Sequence, residues 1–263
     1  MLHKFQLIRP RLKWGERMGD DGYGHFQLRL LQSWQLSRGT EVVHVAARQQ
    51  RLITALAITG PRPRGYLVGL LWPDKAEARA LESLRVSVHL VSRQLPGLLV
   101  NDGAVLSLNS HVDVDLHRVR AGIRALGQPG LNGNMAACLP LLRDAELLPG
   151  WYEDWVLFEQ GRLSQERLHA FNIIARESLA HGDYETASEA SEAALEVEPL
   201  YESAVGLLIQ AESRQGNAAA ALRAFEKYRT RLREEMGLTP SDAIVRLVSE
   251  VRESQSSRQG ETY

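Results

Sequence analysis

From residue 26 the chain alternates apolar and polar residues. FQLRLL (26–31), followed by SWQLSRGTEVVHV, reads as short strands with one buried face, and SRGTE (37–41) reads as the turn between two of them. The period then lengthens. AARQQRLITALAIT (46–59) predicts a helix whose apolar stripe is Leu52, Ala55, Leu56 and Ile58, and GPRPR (60–64) ends it, because two prolines and a glycine cannot continue the hydrogen-bond ladder. GYLVGLLW (65–72) predicts a short helix, broken by Pro73-Asp74. A longer helix follows over ALESLRVSVHLVSRQL (80–95). At about 100° per residue, Ala80, Leu84, Val88, Val91 and Leu95 share one face. The opposite face carries Arg79, Glu82, Val86, His89 and Arg93, with Ser83 and Arg85 on its flanks. After it, LLV and AVLSL (98–108) enclose Asn101-Asp102-Gly103, a hairpin signal because glycine tolerates positive φ. Residues 1–24, punctuated by Pro10, Gly15, Gly19, Gly22 and Gly24, hold no period and read as an irregular N-terminal arm.

Strands, helix, helix, long helix and hairpin, in that order, predict a winged helix-turn-helix spanning residues 25–112, preceded by a small sheet. In such a fold the long helix buries one face and offers the other to the DNA major groove. That use explains a surface of arginine, serine, histidine and exposed aliphatics. Arg79, Arg85 and Arg93 can fork to guanine, and Ser83 and His89 can reach base edges or phosphates. Val86 or Leu90 can meet a thymine methyl. Arg48, Arg62 and Arg64, near the ends of the first two helices, are placed to hold phosphates. These contacts set register and affinity without reading sequence. The competing reading is a core helix of an unrelated α/β domain.

The second half is helical throughout. GDYETASEASEAALEVEP (182–199) and GNAAAALRAFEKYRTRLR (216–233) align at a shift of 34, which sets Gly182 on Gly216, Asp183 on Asn217, Ala187 on Ala221 and Ala190 on Ala224. A 34-residue period with small residues at fixed places is the tetratricopeptide signature. The second copy departs at Tyr228, where a small residue is usual, and lacks a closing proline at 233. Two repeats are too few to stand alone, so helices in 111–160 and 240–253 should cap them. The fold class expected is mainly α with a small β component: an N-terminal α+β winged helix, then an all-α tetratricopeptide-like domain over 113–254 and a tail over 255–263.

Charge sharpens this division. The net charge of −1 over 263 residues conceals a first half (1–110) with fifteen Lys and Arg against eight Asp and Glu, and a remainder with sixteen against twenty-four. A basic half joined to an acidic half suggests that only the first meets a polyanion. The composition, 44% hydrophobic and 24% charged, is that of a globular protein. No apolar run is long enough to span a membrane and the N-terminus lacks the pattern of a secretory signal, so no membrane contact and a cytoplasmic location are expected. Cys138 is the lone cysteine, which excludes an internal disulfide. HVDVDLH (111–117) invites a metal reading, with His111, Asp113 and Asp115 on one side if it is a strand, but no second cluster completes a site. It reads more simply as the strand leaving the wing, with Asp113 or Asp115 capping the next helix. GPRPRG lacks the residues of a phosphate loop, and neither a nucleophile elbow nor an HExxH motif occurs, so neither catalysis nor a cofactor is expected. Trp151, Tyr152 and Trp155 read as an aromatic plug between the first helices of the acidic domain.

LLWPD (70–74), the 80–95 helix, LLPGWYEDW (147–155), ERLHAF (166–171), EPLYESA (198–204) and AFEKYRTRLREEMGLTPS (224–241) occur in an order that resembles the Streptomyces antibiotic regulatory protein family. The resemblance covers about residues 26–253. It implies an OmpR-type winged helix joined to a bacterial transcriptional activation domain. It also implies a DNA-binding activator whose partners are tandem direct repeats in double-stranded DNA, RNA polymerase holoenzyme and a second protomer on DNA, which would form a homodimer. Two features depart from the family. Its hairpins bring basic residues to the minor groove, whereas this tip is Asn101-Asp102-Gly103, and Glu82 and Leu90 stand where members carry Asn or Arg. The wing tip and Glu82 support the alternative to a DNA-binding activator, a tetratricopeptide interaction scaffold with a degenerate winged helix used for protein binding.

Overall fold

A computed structural model describes residues 25–126 and 135–260, with side chains up to residue 254. The expected N-terminal arm (1–24) lies outside the described residues. The chain opens with β1 (Phe26–Arg29), β2 (Gln35–Arg38) and β3 (Glu41–Val43), an antiparallel meander in which Phe26, Leu28, Leu30 and Leu36 are buried. Gly39, at φ 59°, makes the tight turn between Arg38 and its cross-strand partner Glu41. Helix α1 (Ala47–Thr59) ends at Gly60. Pro63 then lies in β4 (Arg62–Pro63), an edge strand of a second sheet, where a residue without an N–H is tolerated.

Two helices follow, α2 (Arg64–Leu71) and α3 (Glu77–Gln94), then the hairpin of β5 (Leu99–Asp102) and β6 (Val105–Leu108). The second sheet has the order β4-β6-β5. The turn falls one residue later than the sequence suggests. Asp102 pairs with Val105, and Gly103, at φ 56°, takes the first of the two turn positions. β7 (Asp113–Val114) returns to pair in parallel with β1, completing the sheet order β3-β2-β1-β7.

The named elements beyond, among the described residues, are helices: α4 (Asp115–Leu126), α5 (Met135–Arg143), α6 (Asp154–Ala180), α7 (Tyr184–Val197), α8 (Glu202–Arg214), α9 (Ala218–Met236) and α10 (Asp242–Gly260). The 34-residue repeat sets the turns. Gly182 (φ 79°) follows α6 and Gly216 (φ 85°) follows α8, and the aligned Ala187, Ala190 and Ala221 are buried where neighbouring helices approach. Gly206 lets α8 and α10 meet closely, since a Cβ there would lie 3.1 Å from Ile244 Cδ1. The chain is therefore mainly α with a small β component, a winged helix followed by a tetratricopeptide-like array. α10 carries helix beyond residue 254, into the stretch expected to form a tail.

The two parts share a core. Leu147, Leu148, Val156 and Leu163 are buried in one cluster with Phe26, Leu28, Leu30, Leu36, Ile53 and Val91. Backbone bonds reinforce the seam, Gln32 N to Glu146 O at 2.7 Å and Leu148 N to Leu30 O at 2.9 Å.

Candidate nucleic-acid interface

Helix α3 is fixed from below. Ala80, Leu84 and Val88 pack with Leu52, Leu56, Leu67, Leu71, Trp72 and Leu106, while Val91 and Leu95 enter the larger shared core. The buried face is the one its periodicity predicts. On the outer side Arg79, Glu82, Arg85, Val86, His89, Leu90 and Arg93 are exposed, and the two aliphatics, at 39% (Val86) and 41% (Leu90), form an apolar strip between the charged residues. The side chains of Arg79, His89 and Arg93 make no hydrogen bond or ion pair among the described residues, so they are free to accept a ligand. Arg85 pairs with Glu82 at 3.5 Å in full solvent, a contact of small energy that an incoming base or phosphate can replace.

Ser83 requires a correction. It is only 8% exposed, because it lies about 60° around the helix from Ala80, on the seam where α1 packs. Lys75 Nζ donates to its Oγ at 3.4 Å, and its carbonyl accepts from Arg48 Nη2 at 2.9 Å and from Ser87 Oγ at 2.8 Å. The outward set is therefore narrower than expected, and Ser83 acts as a joint between helices.

The three arginines read as phosphate clamps occupy different environments. Arg48 is held by Ser83 and stacks its guanidinium 5.6 Å from the Trp72 ring centroid, so it ties α1 to α3 while its side remains exposed. Arg62 lies 5.1 Å over Tyr66, and its Nε is buried without a hydrogen-bond partner among the described residues. Arg64 leaves the first turn of α2 and bonds the hairpin tip, Nη2 to Asn101 Oδ1 at 3.0 Å and Nε to Gly103 O at 3.3 Å.

Two anchoring groups escaped the sequence reading. Arg51 binds Glu153 with both ends of its fork, Nε to Oε1 and Nη2 to Oε2 at 2.8 Å each, and also donates to Leu71 O. Nothing local in RQQRLIT marks such a partner 102 residues away. Asp115 accepts from the amides of Leu30, Leu31 and Leu116, which ties β1 to the start of α4. The sequence marked it as a candidate cap for α4; the structure instead makes it the first residue of that helix, with its carboxylate turned to β1 and the adjacent Leu116 amide. Asp113 is paired with Arg118, and His111 is exposed, so the carboxylates of HVDVDLH serve structure. The aromatic segment also differs from expectation. Trp151 and Trp155 pack against the winged-helix core, with Trp155 Nε1 donating to Glu153 Oε2, whereas Tyr152 stands 81% exposed. The plug seals the junction of the two parts instead of the space between acidic-domain helices.

In the helical part, Arg120 bridges Glu159 and Glu166 at 2.9 Å each. Burial opposes its charge, but the two carboxylates outweigh burial and hold its pKa above the ordinary value. Tyr228, the departure from the repeat, is buried and donates to Glu202 Oε2 at 2.7 Å, and the same oxygen accepts from Ser241 N at 3.2 Å. Burial works against the Glu202 charge, yet the bonds from Ser241 and Tyr228 hold its carboxyl below the usual range. No helix among the described residues is long and apolar enough to cross a membrane.

Comparison with known proteins adds three findings. Residues 117–252 match the family described as bacterial transcriptional activator domain. The regulatory protein AfsR of Streptomyces coelicolor is 26% identical over 222 residues, which cover 80% of this chain and 22% of AfsR. The structure of Mycobacterium tuberculosis EmbR in complex with a low-affinity phosphopeptide aligns with TM-score 0.67 and 18% identity, over 88% of this chain and 65% of EmbR; this likeness is one of fold. The chain thus spans about a fifth of the length of AfsR and less than two thirds of EmbR.

Proposed function

The chain belongs to the bacterial transcriptional activator domain family and is a transcriptional regulator of the Streptomyces antibiotic regulatory protein type, and from that premise we propose that it binds specific DNA through α3 and activates transcription. The observation that carries the reading is the α3 surface, where Arg79, His89 and Arg93, unpaired among the described residues, surround an exposed aliphatic strip on a helix whose other face is locked in the core. Such a helix presents donors and methyl-sized contacts to base edges without having to be ordered first. Arg85 joins the reading surface when its pairing with Glu82 opens. Arg48 and Arg62, flanking α3, supply phosphate contacts that hold the register.

The acidic helical array, which gains nothing from approaching DNA, meets protein on this reading. Its partners are RNA polymerase holoenzyme and a second protomer on a tandem direct repeat. The protein works without cofactor or catalysis, in the cytoplasm. The rival scaffold reading draws on the Glu82–Arg85 pair and the tip Asn101-Asp102-Gly103, both of which reduce free positive charge at the interface.

Titration of the full chain against duplex from the region upstream of its own gene decides between them. If about four to six phosphates are neutralised, log K falls with log salt at a slope of roughly −4 to −5 per protomer. A slope near zero, or equal affinity for unrelated duplex, overturns the DNA reading and leaves the scaffold.

A further inference from the structure

The β5–β6 hairpin has no lysine, arginine or histidine between Leu99 and Leu108. Its own side chains therefore cannot neutralise a phosphate or enter a groove of negative potential. The cation beside it comes from another element. β4 pairs with β6 so that Pro63 lies opposite Val105, and the Arg64 amide donates to Ala104 O at 3.1 Å. This docking starts α2 at the hairpin tip. From there the Arg64 guanidinium is held at two points, by Asn101 Oδ1 at 3.0 Å and Gly103 O at 3.3 Å. Two of its five N–H donors are used. Asp102, between the two acceptors, makes no ion pair with it among the described residues. Both of its protein partners are neutral, so the group keeps its full charge and three donors. Its orientation is set in advance, which reduces the side-chain entropy lost on binding.

We propose that Arg64 is the reading residue of the wing, placing its guanidinium edge in the DNA minor groove next to the major groove that α3 occupies and selecting A·T pairs there. The inference rests on the DNA-binding reading and adds a second groove and a base preference to it. The chemistry of the guanidinium sets the preference. A guanidinium only donates, and A·T pairs offer the minor groove only acceptors, adenine N3 and thymine O2. A G·C pair adds the guanine N2 amino group, a donor facing a donor. Runs of A·T also narrow the groove and deepen its negative potential, which draws arginine in. Arg64 therefore discriminates bases, in contrast to Arg48, whose guanidinium is engaged between α1 and α3.

The test uses the full chain and a duplex recovered with it by selection from a random-sequence library. The flank on the wing side of the selected site is then synthesised with A·T, G·C or inosine·cytosine pairs. Inosine lacks the 2-amino group, so the inosine·cytosine pair shows A·T-like acceptors in the minor groove while keeping a G·C-like major groove. Wild type should bind the A·T and inosine·cytosine flanks alike and the G·C flank about tenfold more weakly, within the discrimination expected of good base contacts. Arg64→Ala should bind all three flanks within about twofold of one another while still selecting the α3 half of the site. Asn101→Ala, which removes one tether but keeps the cation, should retain the preference in weakened form. A purely structural role for Arg64 would lower affinity equally on every flank and leave the preference intact, which overturns the inference. A wild type indifferent to the flank overturns it as well. Failure of the full chain to select any sequence would instead bring down the DNA-binding reading, and this inference with it.

Discussion

Arg93 and Arg79 differ from Arg48, Arg51, Arg64 and Arg85 because no group among the described residues hydrogen-bonds or pairs with their side chains. Arg93→Ala should therefore cost roughly 1–3 kcal/mol of DNA affinity and relax the base preference, measured by anisotropy titration on selected and scrambled duplexes. Unchanged affinity and selectivity would show that the other face of α3, or another element, reads the bases. Val86 and Leu90 allow a finer probe. Replacing thymines of the selected site by deoxyuridine removes only the 5-methyl group, so wild type should lose about fourfold per contacted methyl, as expected from burying one methyl-sized group. Val86→Ala should be insensitive to one of these changes. At Glu202 the prediction concerns pH. Its carboxyl titrates below the usual range in the folded chain, so its stabilising contribution is complete above the unfolded value of about 4.3 and is lost as pH falls through the lower folded value. Thermal midpoints followed by circular dichroism should therefore fall less steeply below about pH 4.3 for Glu202→Gln than for wild type. Parallel curves would mean that the Tyr228 and Ser241 bonds do not favour the charged form.

Among the elements, legibility in the sequence followed the range of the interaction that fixes each one. The buried face of α3, the alternation of β1, the helix-ending GPRPR and the 34-residue repeat are local signals, and each appears in the fold. β4 was missed because it is two residues long and exists only through a partner far along the chain, β6, whereas the strand after the wing was legible over 111–117 and only its parallel pairing with β1 was not. The same limit hid the seam at Ser83 and moved the Trp151–Trp155 plug. Helical periodicity tells which side of a helix is apolar, but a small polar residue at the edge of that side is assigned only by the neighbour that covers it. The repeat turns offer a direct check. Gly182 and Gly216 hold positive φ with open space around the missing Cβ, so an alanine there meets backbone strain and no collision. Gly216→Ala should cost about 1–2 kcal/mol in denaturant unfolding, and Gly216→Asn less. At Gly206 the balance differs. The Ile244 methyl must shift by a few tenths of an ångström, while alanine gains about 1 kcal/mol of helix propensity over glycine. Gly206→Ala should stay within about 0.5 kcal/mol of wild type.

At the scale of the whole molecule, a cut at residue 112 looks natural in the sequence and is costly in the structure. It removes β7, the Asp115 carboxylate that holds β1, and the Leu147, Leu148, Val156 and Leu163 side chains that complete the first core. A fragment of residues 25–112 should therefore show no cooperative melt by circular dichroism where the full chain does. A sharp, reversible transition in the fragment would show the shared core to be dispensable. The bidentate Arg51–Glu153 pair and the shared core leave little freedom between the element proposed to face DNA and the helices proposed to meet polymerase. On that reading the protein behaves as a bracket with a fixed angle, and the rotational position of its binding site around the duplex becomes part of the signal. Inserting about five base pairs between site and promoter, half of a 10–10.5 bp turn, would swing the acidic face to the far side of the DNA, and inserting a full turn would bring it back. Transcript yield should then oscillate with spacer length at the period of the double helix, where a flexible tether would give a smooth decline.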